Sequence, residues 1–486
     1  MTFEEWITSL NIEIVYCARL TVKSSSETKT LYVSTHAGVY DNQYYEPYLV
    51  GVPRMSKSMQ EIMFGRSQIS WGDLVLFNGD GFFDDYINSD TTWTFNGQEV
   101  VIEAGKPDWS VHGTIFKGYM RDPEFTDEEI RIPVYDAQYK LESIEIPPNE
   151  FDSTSYPNAP DSVIGRPIPL CFGYCYNITP VLIDTTNYTY KVHDGQINDV
   201  THAYDDGVEV TIASKDLTNG TFTLSAEPVG TVTCDVEGAV SGGSFLTKPG
   251  DIVVYMLKNY ANFTDDDIDS TYLSNFNTDV PWPIGVYVMD KAQLLDVIDM
   301  ILVPLLSAYG ITRDGKFRVW QFKEPTSSSS VTITDMEGHE GEFKGEFYPR
   351  IYWKINIGYD RNWTIQTTGL GGSVSLSRKE WLKNMYRYAS KESSSTHSLY
   401  ASSAERTIDT FLKNKADAET LADKYLTIFG QKRMIVTDKI NLQVFNSELN
   451  DNIKYERTRY NLDDYYRLIG MEEDYEESET VITLWG

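Results

Sequence analysis

The sequence predicts a mainly β protein with some helix (α+β), and three observations carry that reading. Aromatic residues make up 13% of the chain, with 33 tyrosines, and tyrosine suits a half-buried pleated face. Apolar and polar residues alternate strictly at Ile12, Ile14, Tyr16, Ala18, Leu20 and Val22, the period of a strand with one buried face. The last ten residues, Glu477 to Gly486, run through Val481, Ile482, Leu484 and Trp485. An apolar strand there is stable only when paired and covered.

The bulk numbers bound the rest. At 486 residues the chain exceeds one compact core, so two to four domains are expected. Its net charge of −31, from 72 acidic and 41 basic residues, repels nucleic acid and gives no attraction to an anionic membrane. Cys17, Cys171, Cys175 and Cys234 contain no Cys-x-x-Cys pair, and no histidines stand at ligand spacing, so neither a zinc site nor a cofactor is expected. The longest apolar run, Met300 to Leu306, is far short of a membrane span and contains Pro304. The start, Met1 to Trp6, is acidic and lacks a signal peptide's basic end. A soluble protein made in the cytoplasm is the expectation.

The elements follow in order. Thr2 and Glu5 have capping-box spacing, with Phe3, Trp6 and Leu10 as the apolar side of a short helix. After the alternating strand, Ser24 to Ser26 turn the chain. Further strands are expected at Ser67 to Phe77, Glu99 to Glu103, Val111 to Met120 and Ile130 to Tyr135. Residues 1–150 thus read as a β-barrel. The Pro-, Ser- and Asn-rich stretch from Pro147 to Pro160 reads as a linker.

Residues 161–248 read as a three-strand meander. Val208, Val210 and Ile212 share a face, Asn219-Gly220 suits a type I′ turn, and Phe222, Leu224 and Ala226 return. Val232, Cys234 and Val236 complete it, which places Cys234 among core valines. Residues 249–330 are helical and α+β. One helix follows Pro249-Gly250, and a second is capped at Thr264 with Ile268, Tyr272, Leu273 and Phe276 on one side. A third opens at Asp290, with Gln293 at N3 and Leu294, Leu295, Ile298, Ile301 and Leu302 inward. Pro304 ends it and Gly310 stops the segment. A strand from Lys316 to Phe322 follows the Asp314-Gly315 turn, and Thr326 to Ser330 form a linker.

Residues 331–486 read as a second barrel with one helix. Strands are expected at Tyr348 to Tyr359, Ile435 to Val444, Tyr465 to Gly470 and Val481 to Trp485. The helix runs from Lys415 to Phe429 and ends at Gly430, burying Leu421, Tyr425 and Phe429. Residues 370–398, Ser- and Gly-rich around Trp381 and Tyr386, read as a loop or protrusion.

Catalytic signals are weak. His36, His112, His193, His202, His339 and His397 are scattered, and no nucleophile elbow, phosphate loop or His-Glu-x-x-His is present. Asn78-Gly79-Asp80-Gly81 with Asp84 and Asp85 has calcium-binding chemistry without an EF-hand's spacing; a turn is the plainer reading. Asp265 to Asp267 suit a helix start. Cys171 and Cys175 have the wrong spacing for redox chemistry and share one face of a strand.

Four stretches, in order, resemble the tail-tip baseplate hub proteins of siphophages, the central hub family of tailed phages. The first is Gly65-Arg66-Ser67 through Asp84; the second runs from Gly165-Arg166-Pro167-Ile168-Pro169-Leu170 through Tyr204-Asp205-Asp206-Gly207-Val208 to Gly238. The third runs from Asp251 to Leu257, through Gly285 to Gly310, to Asp314-Gly315-Lys316-Phe317-Arg318-Val319. The fourth is the Lys415 to Phe429 helix with the terminal strands, where Gly470-Met471-Glu472-Glu473-Asp474 precedes Val481 to Gly486.

The resemblance implies two tube-like barrels and two smaller domains, and a homotrimeric ring at the virion tail tip. That ring joins distal tail and tube proteins to a central tip fibre or spike. The tape-measure protein is an implied partner, and DNA passes through an acidic lumen. No catalytic, cofactor or metal residue is implied. Basic residues at the C-terminal helix and its exit, Lys413, Lys415, Lys424, Lys432 and Arg433, are candidates for meeting acidic patches between subunits, against a plainly solvated helix face. Two other functions remain open: a distal tail ring or adhesin carrier, and a glycan-binding or cell-wall- or capsule-degrading tail enzyme. For the last, Trp353, Trp363 and Trp381 are the sugar-stacking candidates.

Overall fold

The structure is a computed structural model that describes residues 2–7, 13–59, 64–338, 342–475, 477 and 479–486. Leu10, Ile12 and His339 lie outside the described residues. Strand content of 43% against 17% helix makes the chain mainly β, well above the roughly 20–25% strand of ordinary domains. Its contacts form two units from interleaved segments. One holds Met1–Lys140, Ala308–Pro349 and Lys432–Gly486; the other holds Leu141–Ser307 and Arg350–Gln431. The linear reading divides the chain into four consecutive pieces, of which the first, third and last are each shared between these units.

In the first unit the helix Phe3–Ile7 carries both capping-box bonds: Thr2 N donates to Glu5 Oε2 (2.9 Å) and Glu5 N to Thr2 Oγ1 (3.2 Å). Beyond it a sheet runs Thr28–Ser34, Val15–Lys23, Glu99–Gly105, His112–Met120, Glu129–Tyr135, Asp73–Phe77, Leu49–Gly51. Its ends meet through residues 46–48. Ser34 N donates to Glu46 O (2.8 Å), Glu46 N to Tyr32 O (3.0 Å) and Phe77 N to Tyr48 O (2.8 Å). The sheet therefore closes into a barrel, which removes its free edges. Ala18, Leu20, Val22, Val100, Ile102 and Ala104 fill it.

The stretch Ser67 to Phe77 is two strands rather than one. It breaks at Gly72, whose N–H bonds Arg54 O. Gly65–Trp71 then joins a second sheet, while Asp73–Phe77 stays in the barrel. The second sheet runs Phe317–Gln321, Ser307–Ile311, Gly65–Trp71, Met55–Met59, Leu462–Asp474, Glu479–Trp485, Met434–Ile440, Lys344–Phe347. Asn452–Arg457 pairs the first half of the long Leu462–Asp474 strand, and Val331–Ile333 pairs Asn452–Arg457. A bridge from Gly338 to Ile440 and the bond Asn441 N to Glu337 O (2.9 Å) return this side to Met434–Ile440. One apolar cluster, from Trp6 to Leu484, is common to both sheets.

The described residues of the second unit contain three larger sheets besides the short pair Glu145–Ile146 with Ala292–Gln293. One runs Val208–Val210, Ile197–Asp205, Val232–Ser241, Leu170–Ile178, Gly285–Val288. Another runs Val181–Asp184, Thr189–Lys191, Thr221–Leu224, Ile212–Asp216. The third is Arg387–Glu392, Tyr352–Tyr359 and Ala404–Asp409, on which the helix Lys415–Phe429 packs, burying Leu421, Tyr425 and Phe429 as expected.

Several expectations change here. The meander is not continuous: Thr221–Leu224 pairs Ile212–Asp216, but Val232–Ser241 pairs Ile197–Asp205 and Leu170–Ile178. Its turn is not type I′, which needs two residues at positive φ. Only Gly220 has one (φ 60), in a four-residue loop that Asp216 holds through Asn219 N (3.2 Å). The expected linker is packed, because Phe151 is buried with Val163, Ile168 and Val181. Residues 370–398 are ordered as the helix Leu376–Lys383, capped by Ser375, the strand Arg387–Glu392 and the helix Ser394–Leu399. The third helix starts later, at Leu294, because Ala292–Gln293 pairs Glu145–Ile146 as strand. Gly310 lies inside the strand Ser307–Ile311 instead of ending a segment.

Candidate functional site

Parts of the first, third and fourth hub-like stretches meet in the second sheet of the first unit, whereas the second stretch lies in the other unit. Gly65 and Arg66 pair Ala308 and Tyr309 in parallel, and Gly65–Trp71 pairs Met55–Met59. That strand pairs Met55 to Ser58 with Gly470 to Glu473, which in turn pair the terminal strand Glu479–Trp485. The apolar terminus is thus flanked on both sides, since Met434–Ile440 pairs its other edge. Trp485 is fully buried, with the Arg433 guanidinium 4.8 Å from its ring.

Buried charges tie these strands together. Lys57, between Met55 and Met59, is 1% exposed, and its Nζ donates to Ile311 O (3.2 Å) and Glu448 Oε2 (3.0 Å). Arg313 forks onto Glu473 at 2.7 and 2.9 Å, and the Tyr475 hydroxyl donates to the same carboxylate (3.1 Å). Arg313 N closes the circuit on Glu448 Oε1 (2.7 Å). Burial pushes the Lys57 ammonium below its ordinary range, against the pull of Glu448. Burial also works against ionised Glu448, but Lys57 and Arg313 hold its carboxyl below the usual value. Sequence reading missed this centre. Its one signal is a lysine on the buried phase of an alternating strand.

The second unit has its own polar centre. Asn177, at φ 53 in an irregularity of the Leu170–Ile178 strand, donates N–H to Asp235 Oδ1 (2.8 Å) and its amide to Asn362 Oδ1 (2.9 Å). The Tyr204 hydroxyl donates to Asp235 Oδ2 (3.0 Å). Asp360 accepts from Lys413 Nζ (3.3 Å) and from Arg387. Burial raises the carboxyls of Asp235 and Asp360 above the ordinary range. Every one of these groups binds backbone or neighbouring side chains, which pins residues 360–387 to the sheet.

All five basic candidates have partners within their own unit. Lys413 binds Asp360 and lies 3.2 Å from the Tyr176 ring centre, and burial pushes it down to about 8. Lys424 donates to Asp279 O (2.9 Å), Lys432 covers the Phe347 ring, and Arg433 binds Glu324. Lys415 is 63% exposed and pairs Glu419 four residues on (3.4 Å).

The stacking candidates have packed rings. Trp363 stacks on Phe411 with the Arg361 guanidinium against both rings, Trp381 has Arg378 and Arg387 against it, and Trp353 meets His397 at 4.4 Å. The acidic loops serve turns: Asn78 bonds Asp84 and Phe83 N, Asp80 accepts from Tyr48, and Thr264 N donates to Asp267. Cys171, Cys175 and Cys234 are free thiols in one core. His193 is buried, whereas His112 stands beside Asp41 and Glu103.

No family model matches the chain, and no curated protein sequence matches it. Among solved structures, it is similar to the 43 kDa tail protein of prophage MuSo2 from Shewanella oneidensis, with 11% identity, TM-score 0.40 and coverage of 97% of this chain and 98% of that one. It is similar to a tail protein from Neisseria meningitidis MC58 at 8% identity and TM-score 0.38, covering 97% and 96%. A chain of the native gene transfer agent virion is similar at 10% identity and TM-score 0.44, covering 66% and 84%. At such scores these likenesses carry no argument below.

Proposed function

We propose that the chain is a structural protein of a phage tail, a baseplate hub. Its homotrimeric ring would join the tail tube and distal tail proteins to a central tip fibre or spike. The observation that carries this reading is that parts of three of the four hub-like stretches pair in one sheet. Residues near 65, 309 and 470 and the closing strand become neighbours there, although hundreds of positions separate them. The closed barrel beside that sheet supports a tube-like module. The net charge of −31 suits a lumen through which DNA slides without sticking. Packed tryptophan rings and the partnered buried carboxylates of Glu448, Glu473, Asp235 and Asp360 favour this reading over a glycan-cleaving one. Exposed Lys415 is the basic side chain most available for a neighbouring subunit.

The test is particle mass and projection symmetry of the purified chain at high concentration. A three-fold ring with a central hole is expected. A six-fold ring would overturn the hub in favour of a distal ring. A compact monomer that also cleaves or binds cell-wall polymers would overturn the structural reading.

A further inference from the structure

We propose that Asp41, Glu103 and His112 form a binding site for a first-row divalent cation of the zinc or manganese type. One donor atom from each residue lies within 4.8 Å of the others. The residues come from one hairpin and two adjacent strands of the barrel. Asp41 sits in the two-residue turn between Gly38–Tyr40 and Gln43–Tyr45, where Asp41 and Asn42 have φ 51 and 60. Both positive angles match the type I′ turn that fits a twisted hairpin. Glu103 lies on Glu99–Gly105, and His112 begins the adjacent strand His112–Met120.

The spacing and donor chemistry suit a cation. His112 Nε2 is 3.5 Å from Asp41 Oδ1, and its Nδ1 is 3.9 Å from Glu103 Oε1. Both exceed a good hydrogen bond. One ion uses only one of the two ring nitrogens. Counted that way, the three donors lie within 4.8 Å of one another, so the Asp41 turn closes slightly to reach the spacing of about 3.4 Å that donors about 2.1 Å from a tetrahedral zinc adopt. Nδ1 is enclosed and has no hydrogen-bond partner. The Trp109 ring stacks on the imidazole at 4.8 Å and 12° and holds its plane.

Glu103 divides its two oxygens. Oε2 takes Arg19 at 3.0 Å, leaving Oε1 toward the histidine, as an outer partner orients a ligating carboxylate. Two carboxylates against one guanidinium make the pocket favourable for a cation. Asp41 is half exposed, so an ion can enter and the turn can close on it. Cys17 lies opposite Glu103 in the sheet, but burial pushes its thiol well up, so it stays protonated and outside the donor set. One imidazole nitrogen with two carboxylates suits zinc, manganese or iron(II). A bound ion would staple the hairpin to the barrel wall.

The test is calorimetric titration of the metal-stripped full chain with Zn²⁺ and Mn²⁺ in ordinary salt, repeated on Asp41→Asn and His112→Gln. Asparagine tolerates positive φ, so Asp41→Asn preserves the turn; near-ultraviolet circular dichroism of each variant checks folding. One equivalent is expected in the wild type, with affinity at least tenfold weaker in each folded variant. Absence of stoichiometric binding would overturn the site. So would binding that both variants retain, which would assign the ion to other donors.

Discussion

Replacing His193 with asparagine should flatten the acid limb of the second unit's stability. His193 is fully buried, its Nδ1 accepts from Cys171 N (2.9 Å), and its Nε2 has no hydrogen-bond partner. Burial, helped by Lys191, pushes its pKa down to about 3, against about 6.5 in the unfolded chain. The sign follows from linkage. Between these values the unfolded chain binds the proton and the folded one does not, so stability falls as pH drops through 6.5 toward 3. From pH 7 to pH 5 this one residue removes about 2 kcal/mol.

Asparagine supplies an acceptor near Nδ1 and does not titrate. At pH 7 the variant should lose about 1–2 kcal/mol for its smaller volume. Its loss between pH 7 and pH 5 should be about 2 kcal/mol less than the wild type's. Asp235 and Asp360 lie in the same unit, and their carboxyls, raised by burial, act with the opposite sign. They are common to both proteins and cancel in the comparison. Urea unfolding at the two pH values, followed on the transition of the unit containing residues 141–307 and 350–431, provides the measurement. Equal pH slopes for the two proteins would refute a neutral buried imidazole.

Three further outcomes follow. Glu473→Gln strands Arg313 and should cost about 3–5 kcal/mol, while the double change Arg313→Met with Glu473→Met should cost less; denaturant midpoints decide between them. Trp485→Ala removes a fully buried ring and should cost about 3–5 kcal/mol, with a matching fall in thermal midpoint. Asn177→Ala loses its amide bonds and keeps φ 53, for a cost of about 3 kcal/mol. Asn177→Gly should recover about 1 kcal/mol of that by relieving the backbone, as thermal unfolding would register.

Much of the local structure is legible in the sequence because local chemistry determines it. The capping box at Thr2 and Glu5, the proline-initiated helix Pro249–Tyr260 and the helix Lys415–Phe429 all carry their own start or stop signals. Pairing is different. Val232, Cys234 and Val236 alternate correctly, but alternation gives the buried face and leaves the partner strand open. A nearby hairpin turn therefore suggested a meander where the chain changes sheets. Ser- and Gly-rich residues 370–398 hid two helices because their order comes from Ser375 and Ser393 caps and from burial of Leu382. The Arg313–Glu473 pair joins residues 160 apart, beyond any window of periodicity. Glu103 and His112 meet across one strand pair, but Asp41 joins them from a distant hairpin that no local pattern places there.

The buried charges of the first unit make most sense as register locks. Ion pairs out of water recover little net stability, since desolvation offsets attraction. Their geometry is nevertheless intolerant of error. A one-residue slip of Met55–Met59 would turn Lys57 away from Glu448 and bury Ser56 or Ser58 instead, because strand side chains alternate faces. A slip of the Leu462–Asp474 strand would carry Glu473 away from Arg313 in the same way. Both pairs link chain segments that meet late: Lys57 reaches Glu448, and Arg313 reaches Glu473. In a unit assembled from three distant segments, loop closure makes these non-local pairings slow to form. Misregistered strands are then the chief competitors of the native sheet. The apolar terminal strand adds area to whichever sheet it joins, whereas the two ion pairs distinguish the correct one.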